Sequence, residues 1–476
     1  MVAGQDVTSA DPWQWSAAVL SAAFVDGTLT PSEHLEHLLA RIERINPQIN
    51  ALVCINPSAR GDAAESTQRL QEGRARGPLE GVAVAVKDNI LVRGMPTTWG
   101  SRAFAHCFDD VDELAVERLR TAGAVIIGKT NVPEFTLEGH TDNLLFGVTR
   151  NPWDLALTPG GSSGGSVAGV AAGLFPLAIG TDGGGSIRRP ASHTGLVALK
   201  PSIGAIPRTV VLPQILLDFE VIGPIARTVG DAALLFNAMA GPDPRNHASL
   251  VGRGLPVRHH KPGSLRILYV PTFGDHPLDS EIADRVRGAA DVLRSLGHRV
   301  DVGALPFALD AIVDFWPLLG QVGVAHVFDL HPEAEARAAP KFVEMARQGR
   351  AVPATRYLQG LETIRQFRHA VARAFGDHDL IMTPSAAALP WPAAEAYPTT
   401  IAGSSVGPRG HAVYTGWVNA CGHPAINLPS SPSRAGLPIG FQLVGRNGDD
   451  ALLFDIGAQY ETVFPFAQHW PHMALD

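Results

Sequence analysis

Thr158–Pro201 reads TPGGSSGGSVAGVAAGLFPLAIGTDGGGSIRRPASHTGLVALKP and carries two glycine-serine loops, Gly160–Ser166 and Thr181–Arg188, around an apolar, alanine-rich segment. Runs of glycine let backbone N–H groups approach a ligand without an obstructing Cβ. Such N–H groups beside a hydroxyl are what acyl transfer requires for its developing oxyanion. Ser186 directly follows Gly183-Gly184-Gly185 and is the candidate nucleophile. The competing reading is a serine that caps the helix expected from about Ile187. Taken alone, the loop leaves capping and catalysis equally open. Val167–Ala172 reads as a tightly packed helix and Leu177–Ile179 as a strand, which sets Ser162 and Ser186 at the two ends of one compact unit.

Outward from this stretch, Gly81–Ile90 (GVAVAVKDNI) is an apolar run without polar alternation, the pattern of a strand buried on both faces. Lys87 sits at its carboxyl end, where open α/β sheets place ligands; a lysine there more often reaches solvent. Thr30-Pro31-Ser32-Glu33 predicts a helix start, with Asn46-Pro47 as its end, and Asp62–Arg76 predicts a polar helix. Asp109–Ala122 reads as a helix stopped by Gly123. Beyond Gly223 a helix is expected over Val229–Met239, then a proline-rich linker over Gly241–Gly263. Leu265–Val302 reads strand, helix, strand; residues 306–376 are mainly helical; Leu380–Pro384, Pro424–Leu428 and Ile439–Val444 are strands before a last helix from Asp449.

Two short patterns mislead. Gly123–Thr130 matches the GxxxxGK[ST] of phosphate-binding loops, but its middle residues Ala-Val-Ile-Ile have strand propensity and Asn131-Val132-Pro133 interrupts any following helix. Gly161–Gly165 fits the GxSxG turn around Ser163, but a loop, not a hydrophobic strand, precedes it.

The 476 residues suffice for a large core, and a 45% apolar, 18% charged composition is that of an ordinary soluble enzyme. A net charge of −8 argues against a general nucleic-acid surface. Cys54, Cys107 and Cys421 fit no metal or disulfide spacing and read as reduced, which points to the cytoplasm. No secretory signal opens the chain, and the weakly polar run Val167–Gly180 is too short to span a bilayer.

Taken together, the chain resembles the amidase signature family. The resemblance rests on GVAVAVKDNI (81–90), GAVIIGKTNVPEF (123–135), FGVTRNPWD (146–154), PGGSSGGS (159–166), GTDGGGSIRRPAS (180–192) and GLVALKPS (195–202). GPIARTV (223–229), GHPAINLP (422–429) and GLPIGFQLVGR (436–446) extend it, with about 245–410 the least distinctive.

The resemblance implies an α/β fold in one domain over 1–476, with a large mixed twisted sheet flanked by helices on both faces. Within it fall N-terminal helices (10–77), a catalytic core (about 78–240), a more variable region (about 245–410) and a closing segment (411–476). It implies a Ser–cis-Ser–Lys triad, with Lys87 as base, Ser162 as the cis-serine and Ser186 as nucleophile. Backbone N–H groups of Gly183, Gly184, Gly185 and Ser186 would form the oxyanion hole. Ser163, Asp182 and Arg188 would be structural, while Thr136 and the loop Gly139–Asn143 would line the acyl pocket. His193 and His423 read as structural or pocket-lining.

A lysine base must be neutral, so its pKa has to be depressed. Departures at His193–Ala198 and Gly183 from the family's usual residues bear on pocket shape, not on the triad. The implied function is hydrolysis of carboxylic amides, with anilides, esters or carbamates as further substrates. No metal or organic cofactor is expected, nor a nucleic-acid or membrane partner, and the protein would be a monomer or homodimer. Two alternatives stand beside this: the A subunit of a tRNA-dependent amidotransferase, and a phosphate-loop nucleotide-binding protein. The apolar loop Val210–Leu217 favours an apolar acyl or aryl substrate over glutamine.

Overall fold

A computed structural model describes residues 11–108, 110–209, 212–250 and 263–475. Its strands are β1 (Leu52–Ile55), β2 (Ala83–Lys87), β3 (Val125–Thr130), β4 (Leu177–Asp182), β5 (Val197–Lys200), β6 (Val221–Ala226), β7 (Arg266–Tyr269), β8 (Arg299–Val302) and β9 (Leu380–Pro384). A two-residue hairpin, β10 (Thr400–Ile401) and β11 (Ser404–Ser405), precedes β12 (Ala425–Pro429) and β13 (Gly440–Val444). All but the hairpin join one 11-stranded sheet in the order β1-β3-β2-β4-β6-β5-β12-β13-β9-β7-β8. The strands β3, β2 and β4 run parallel, as do β9, β7 and β8, and antiparallel pairs link the two sets. The sheet is therefore mixed, with helices packed over it.

The central strands are buried on both faces, as their unbroken apolar runs require. Val84, Val86, Leu177 and Ile179 face one apolar cluster, which the helices Val229–Met239 and Asp450–Val463 help to form. Ala83, Ala85 and Ala178 face the other, with Val167, Val170 and Ala171 of the helix Gly164–Ala171. Small residues on this second face let that helix approach the sheet closely. Gly165 is obligatory there, because a Cβ would lie 2.3 Å from the Asn131 backbone N. Full burial of Val167 and Val170 contributes about 1.5–3 kcal/mol each.

Several element ends differ from expectation. The helix Pro31–Ile49 has its capping box at Thr30 and Glu33 but continues through Pro47. Pro47 removes one backbone donor, yet Ile45 and Ile49 are buried, and Asn46 Oδ1 accepts from Ala51 N and Leu52 N at 2.9 and 2.8 Å. Tertiary packing outweighs the local break. The helix Ala59–Gln71 stops before Arg76, because Gly73 turns left-handed at φ 66°. Leu114–Thr121 begins only after Glu113, whose carboxylate accepts from Leu114 N. Strands β1, β5 and β6 were not foreseen in the sequence. The linker expected over Gly241–Gly263 falls partly outside the described residues.

Candidate active site

Three segments converge at the carboxyl ends of β2 and β4. Lys87 closes β2, and alternation puts its side chain on the same face as Ala83 and Ala85, under the helix Gly164–Ala171. The loop leading into that helix carries Ser162 behind a cis Gly161–Ser162 peptide bond. Gly161 has no room for a side chain, since a Cβ would lie 2.6 Å from the His140 carbonyl oxygen. Ser186 follows the triple glycine beyond β4.

Lys87 Nζ donates to Ser162 Oγ at 2.8 Å, to Thr181 Oγ1 at 2.9 Å and to the Thr181 carbonyl at 3.1 Å. All three partners are neutral oxygens. Complete burial pulls the lysine pKa down to about 7; Glu220 and Asp182 oppose this, and the Arg208 and Arg189 cations add to it. Ser163 N donates to the Ser186 carbonyl at 3.1 Å, which ties the two serine loops together. Ser163 itself is fully buried, with its hydroxyl donating to the Thr181 carbonyl at 3.3 Å, so the GxSxG turn presents no exposed nucleophile. Ser186 keeps 7% exposure against 1% for Ser162 and 0% for Lys87, so of the three it is the most open to solvent.

The helix-cap reading of Ser186 fails on geometry. The helix Arg188–Thr194 has no side-chain cap from Ser186. Asp182 takes that place: its carboxylate accepts from Gly185 N at 2.6 Å, Ile187 N at 3.1 Å and Arg188 N at 3.4 Å. It also pairs with Arg188 Nε at 3.0 Å and accepts from Asn419 Nδ2 at 2.9 Å. Burial alone would raise this carboxyl; the Arg188 charge, with the Arg188 and Asn419 hydrogen bonds, holds it well below the usual range. Because the Gly185 N–H is committed to Asp182, it is not aimed at substrate, contrary to expectation. The N–H groups of Gly183, Gly184 and Ser186 have no acceptor among the described residues. Gly185 is still required, at φ 110° with a Cβ position 2.1 Å from Thr415 Oγ1.

Sequence reasoning missed several side chains. Arg189 clamps both loops: it donates to the Gly184 carbonyl, to Thr415 Oγ1 at 3.0 Å and to the Gly161 carbonyl at 3.4 Å. Its position beside Arg188 inside GGGSIRR was the available signal. Asn419 and Gln442 lie more than 200 residues away and hold Asp182 and Arg188, the latter through Arg188 Nη1 to Gln442 Oε1 at 2.7 Å. Nothing local marks them. Asn89 Nδ2 donates to Thr181 Oγ1 at 3.0 Å and reaches Glu220 Oε1 at 3.4 Å, and Arg208 Nη1 donates to the same carboxylate oxygen at 2.8 Å.

A small cleft next to Leu216, the residue that packs on Gly183, is walled by Trp99, Phe135, Thr136, Leu212, Ile215 and Leu216, with Asn89, Arg208 and Glu220 at its polar end. Thr136 is among the residues that line this cleft. The apolar loop contributes from Leu212 on; Val210 and Val211 lie outside the described residues. The loop Gly139–Asn143 does not line this cleft but braces the other serine loop, with Thr141 Oγ1 donating to the Gly160 carbonyl at 2.9 Å. His193 and His423 are buried, and their ring nitrogens face the Ala388 and Gly445 carbonyls. Burial lowers both to about 4, so each is neutral and structural at physiological pH.

From Val125 to Thr130 the phosphate-loop pattern is strand β3 and not a loop. Lys129 is fully buried and paired with Asp88 Oδ1 at 3.1 Å, which leaves nothing to hold a phosphate. Among the described residues no group of His, Cys, Asp and Glu could hold a metal ion, and no helix is long and apolar enough to cross a membrane.

Comparisons with known proteins agree with this architecture. The Amidase family model matches residues 33–454. An acylamidase of Rhodococcus erythropolis is 33% identical, with 97% of this chain and 98% of the relative covered. The A subunit of a glutamyl-tRNA(Gln) amidotransferase from Symbiobacterium thermophilum is 35% identical, over 94% of this chain and 96% of the relative. A substrate-bound 6-aminohexanoate cyclic dimer hydrolase superposes with a TM-score of 0.89 at 30% identity, covering 98% of this chain and all of the other. With the family model spanning the twisted sheet and both serine loops, the chain belongs to the amidase signature family and is a hydrolase of carboxylic amides.

Proposed function

We propose that amide cleavage runs through an acyl-enzyme on Ser186, with Ser162 as proton shuttle and Lys87 as base. The observation that carries this is the contact of a fully buried lysine, near pKa 7, with Ser162 Oγ at 2.8 Å. Neutral Lys87 takes the Ser162 proton as Ser162 takes that of Ser186, whose oxygen then attacks the substrate carbonyl. The oxyanion accepts hydrogen bonds from the Gly183, Gly184 and Ser186 N–H groups. Collapse of the tetrahedral adduct breaks the C–N bond, and the proton returns from Lys87 through Ser162 to the leaving amine. Water enters by the same relay and releases the acid.

The apolar wall of the cleft supports small amides with apolar or aryl acyl groups, anilides among them; esters or carbamates would follow the same chemistry. The proposal includes one catalytic domain, as monomer or homodimer, in the cytoplasm. Amidotransferase A subunits are similar over most of the chain, but the apolar cleft suits glutamine poorly. Release of glutamate from glutamine by the purified protein would favour that second reading.

The test is labelling with a fluorophosphonate. The wild-type protein is labelled at Ser186, and Ser186→Ala loses both label and amide turnover while keeping its circular dichroism. Label on Ser163 instead would overturn the assignment.

A further inference from the structure

The nucleophile loop has two flanks of different chemistry. At Gly183 a Cβ would lie 2.6 Å from Leu216 Cδ1, so this flank packs directly on a residue that lines the apolar cleft. At Gly184 a Cβ would meet Trp316 Cζ2 at 2.8 Å and Arg409 Nη2 at 3.5 Å. The Arg409 guanidinium thus stands beside a peptide whose N–H is available to an oxyanion. It sits 5.0 Å from the centre of the Trp316 ring, and a Cβ on Gly416 would be 3.8 Å from the same Nη2.

Arg409 keeps solvent exposure along its side chain, while burial around the guanidinium lowers its pKa to about 10, with no hydrogen-bond acceptor or carboxylate among the described residues acting on it. Its neighbour Arg189 is spent on Gly184, Thr415 and Gly161. On the loop's other flank, Asp182 is held by Arg188, and Glu220, whose Cβ lies 3.4 Å from the Gly183 Cβ position, is paired with Arg208. Arg409 is therefore a planar, permanently charged donor held against an indole face, with its hydrogen-bonding edge unspent, in a chain of net charge −8. A guanidinium so placed matches a carboxylate in two-point geometry.

We propose that Arg409 is a specificity-determining residue, and that preferred substrates are amides bearing a carboxylate. The acyl or aryl portion occupies the cleft at Leu216, and the carboxylate docks on Arg409 across the loop. This deepens the reading of Ser186 as nucleophile and rests on it only for which bond is presented.

The experiment uses ω-carboxy-alkanoyl anilides with two to five methylenes, each paired with its neutral methyl ester. Their dissociation constants are measured by calorimetry on Ser186→Ala and on Ser186→Ala/Arg409→Gln, with aniline release followed in the same samples. At least one acid should bind Ser186→Ala ten- to a hundred-fold tighter than its ester, the range of about one charge-assisted hydrogen bond. Arg409→Gln should bring that ratio close to one, and Arg409→Lys should restore part of it. Rising salt should weaken the acid and not the ester.

A ratio at or below one for every chain length overturns the inference, as does a ratio that survives Arg409→Gln or a failure of all acids to bind. Aniline release by Ser186→Ala would instead count against the nucleophile and leave the ratio to be read. A merely structural role for Arg409, bracing Trp316, would weaken acid and ester alike.

Discussion

Replacing Glu220 with glutamine should move the acid limb of kcat/KM to lower pH. In the proposed mechanism neutral Lys87 is the competent form, and its pKa of about 7 places about a tenth of the protein in that form at pH 6 and about nine-tenths at pH 8. Glu220 is linked to the lysine through Asn89 and Thr181, with contacts of 3.4, 3.0 and 2.9 Å, and its negative charge favours the ammonium. Removing that charge destabilises the protonated lysine. It also leaves the Arg208 cation less compensated, which acts in the same direction.

Across two intervening side chains such an interaction is worth about 1 kcal/mol, or about 0.7 pH unit. Arg208 stays anchored to the residue 220 carbonyl at 3.3 Å, so the loop keeps its place. The assay is kcat/KM on a neutral anilide from pH 5 to 9 at fixed ionic strength. A limb that stays put, or shifts to alkaline pH, refutes the electrostatic argument. Lys87→Ala should abolish the limb with a loss of about three to six orders of magnitude, and Lys87→Arg should not restore it, because guanidinium stays protonated.

Asp182→Asn should cost about 3–5 kcal/mol in denaturant unfolding, because Arg188 remains fully buried without its anion. Since the folded-state carboxyl is depressed, the deficit is fully present above the unfolded pKa of about 4 and shrinks as pH falls below it. Treatment with a chelator should leave amide turnover unchanged, and calorimetry with ATP and Mg²⁺ should detect no binding; loss of activity restored by a divalent metal would contradict the serine mechanism.

What the sequence alone determined is local. The Ala-Val alternation ending in Lys87, the glycine spacing around Ser162 and the triple glycine before Ser186 each specify a backbone that few other residues permit. They could be read because glycine marks close approach and positive φ wherever it is indispensable, as at Gly161, Gly165 and Gly185. Strands β5 and β6 were hidden in stretches that proline and glycine disguise as loops, and their pairing partners lie far along the chain.

Only the tertiary structure decided how each candidate group is spent. It assigned the Gly185 N–H to Asp182, gave the helix cap to that carboxylate and freed Ser186, and paired Lys129 with Asp88 inside a strand. It also brought Asn419, Gln442 and Arg409 to a loop more than 200 residues away in sequence. The physical reason is that hydrogen bonding and charge depend on burial and on partners brought together by packing. A lysine at a strand end comes down to a pKa of about 7 only when the rest of the chain has removed its water.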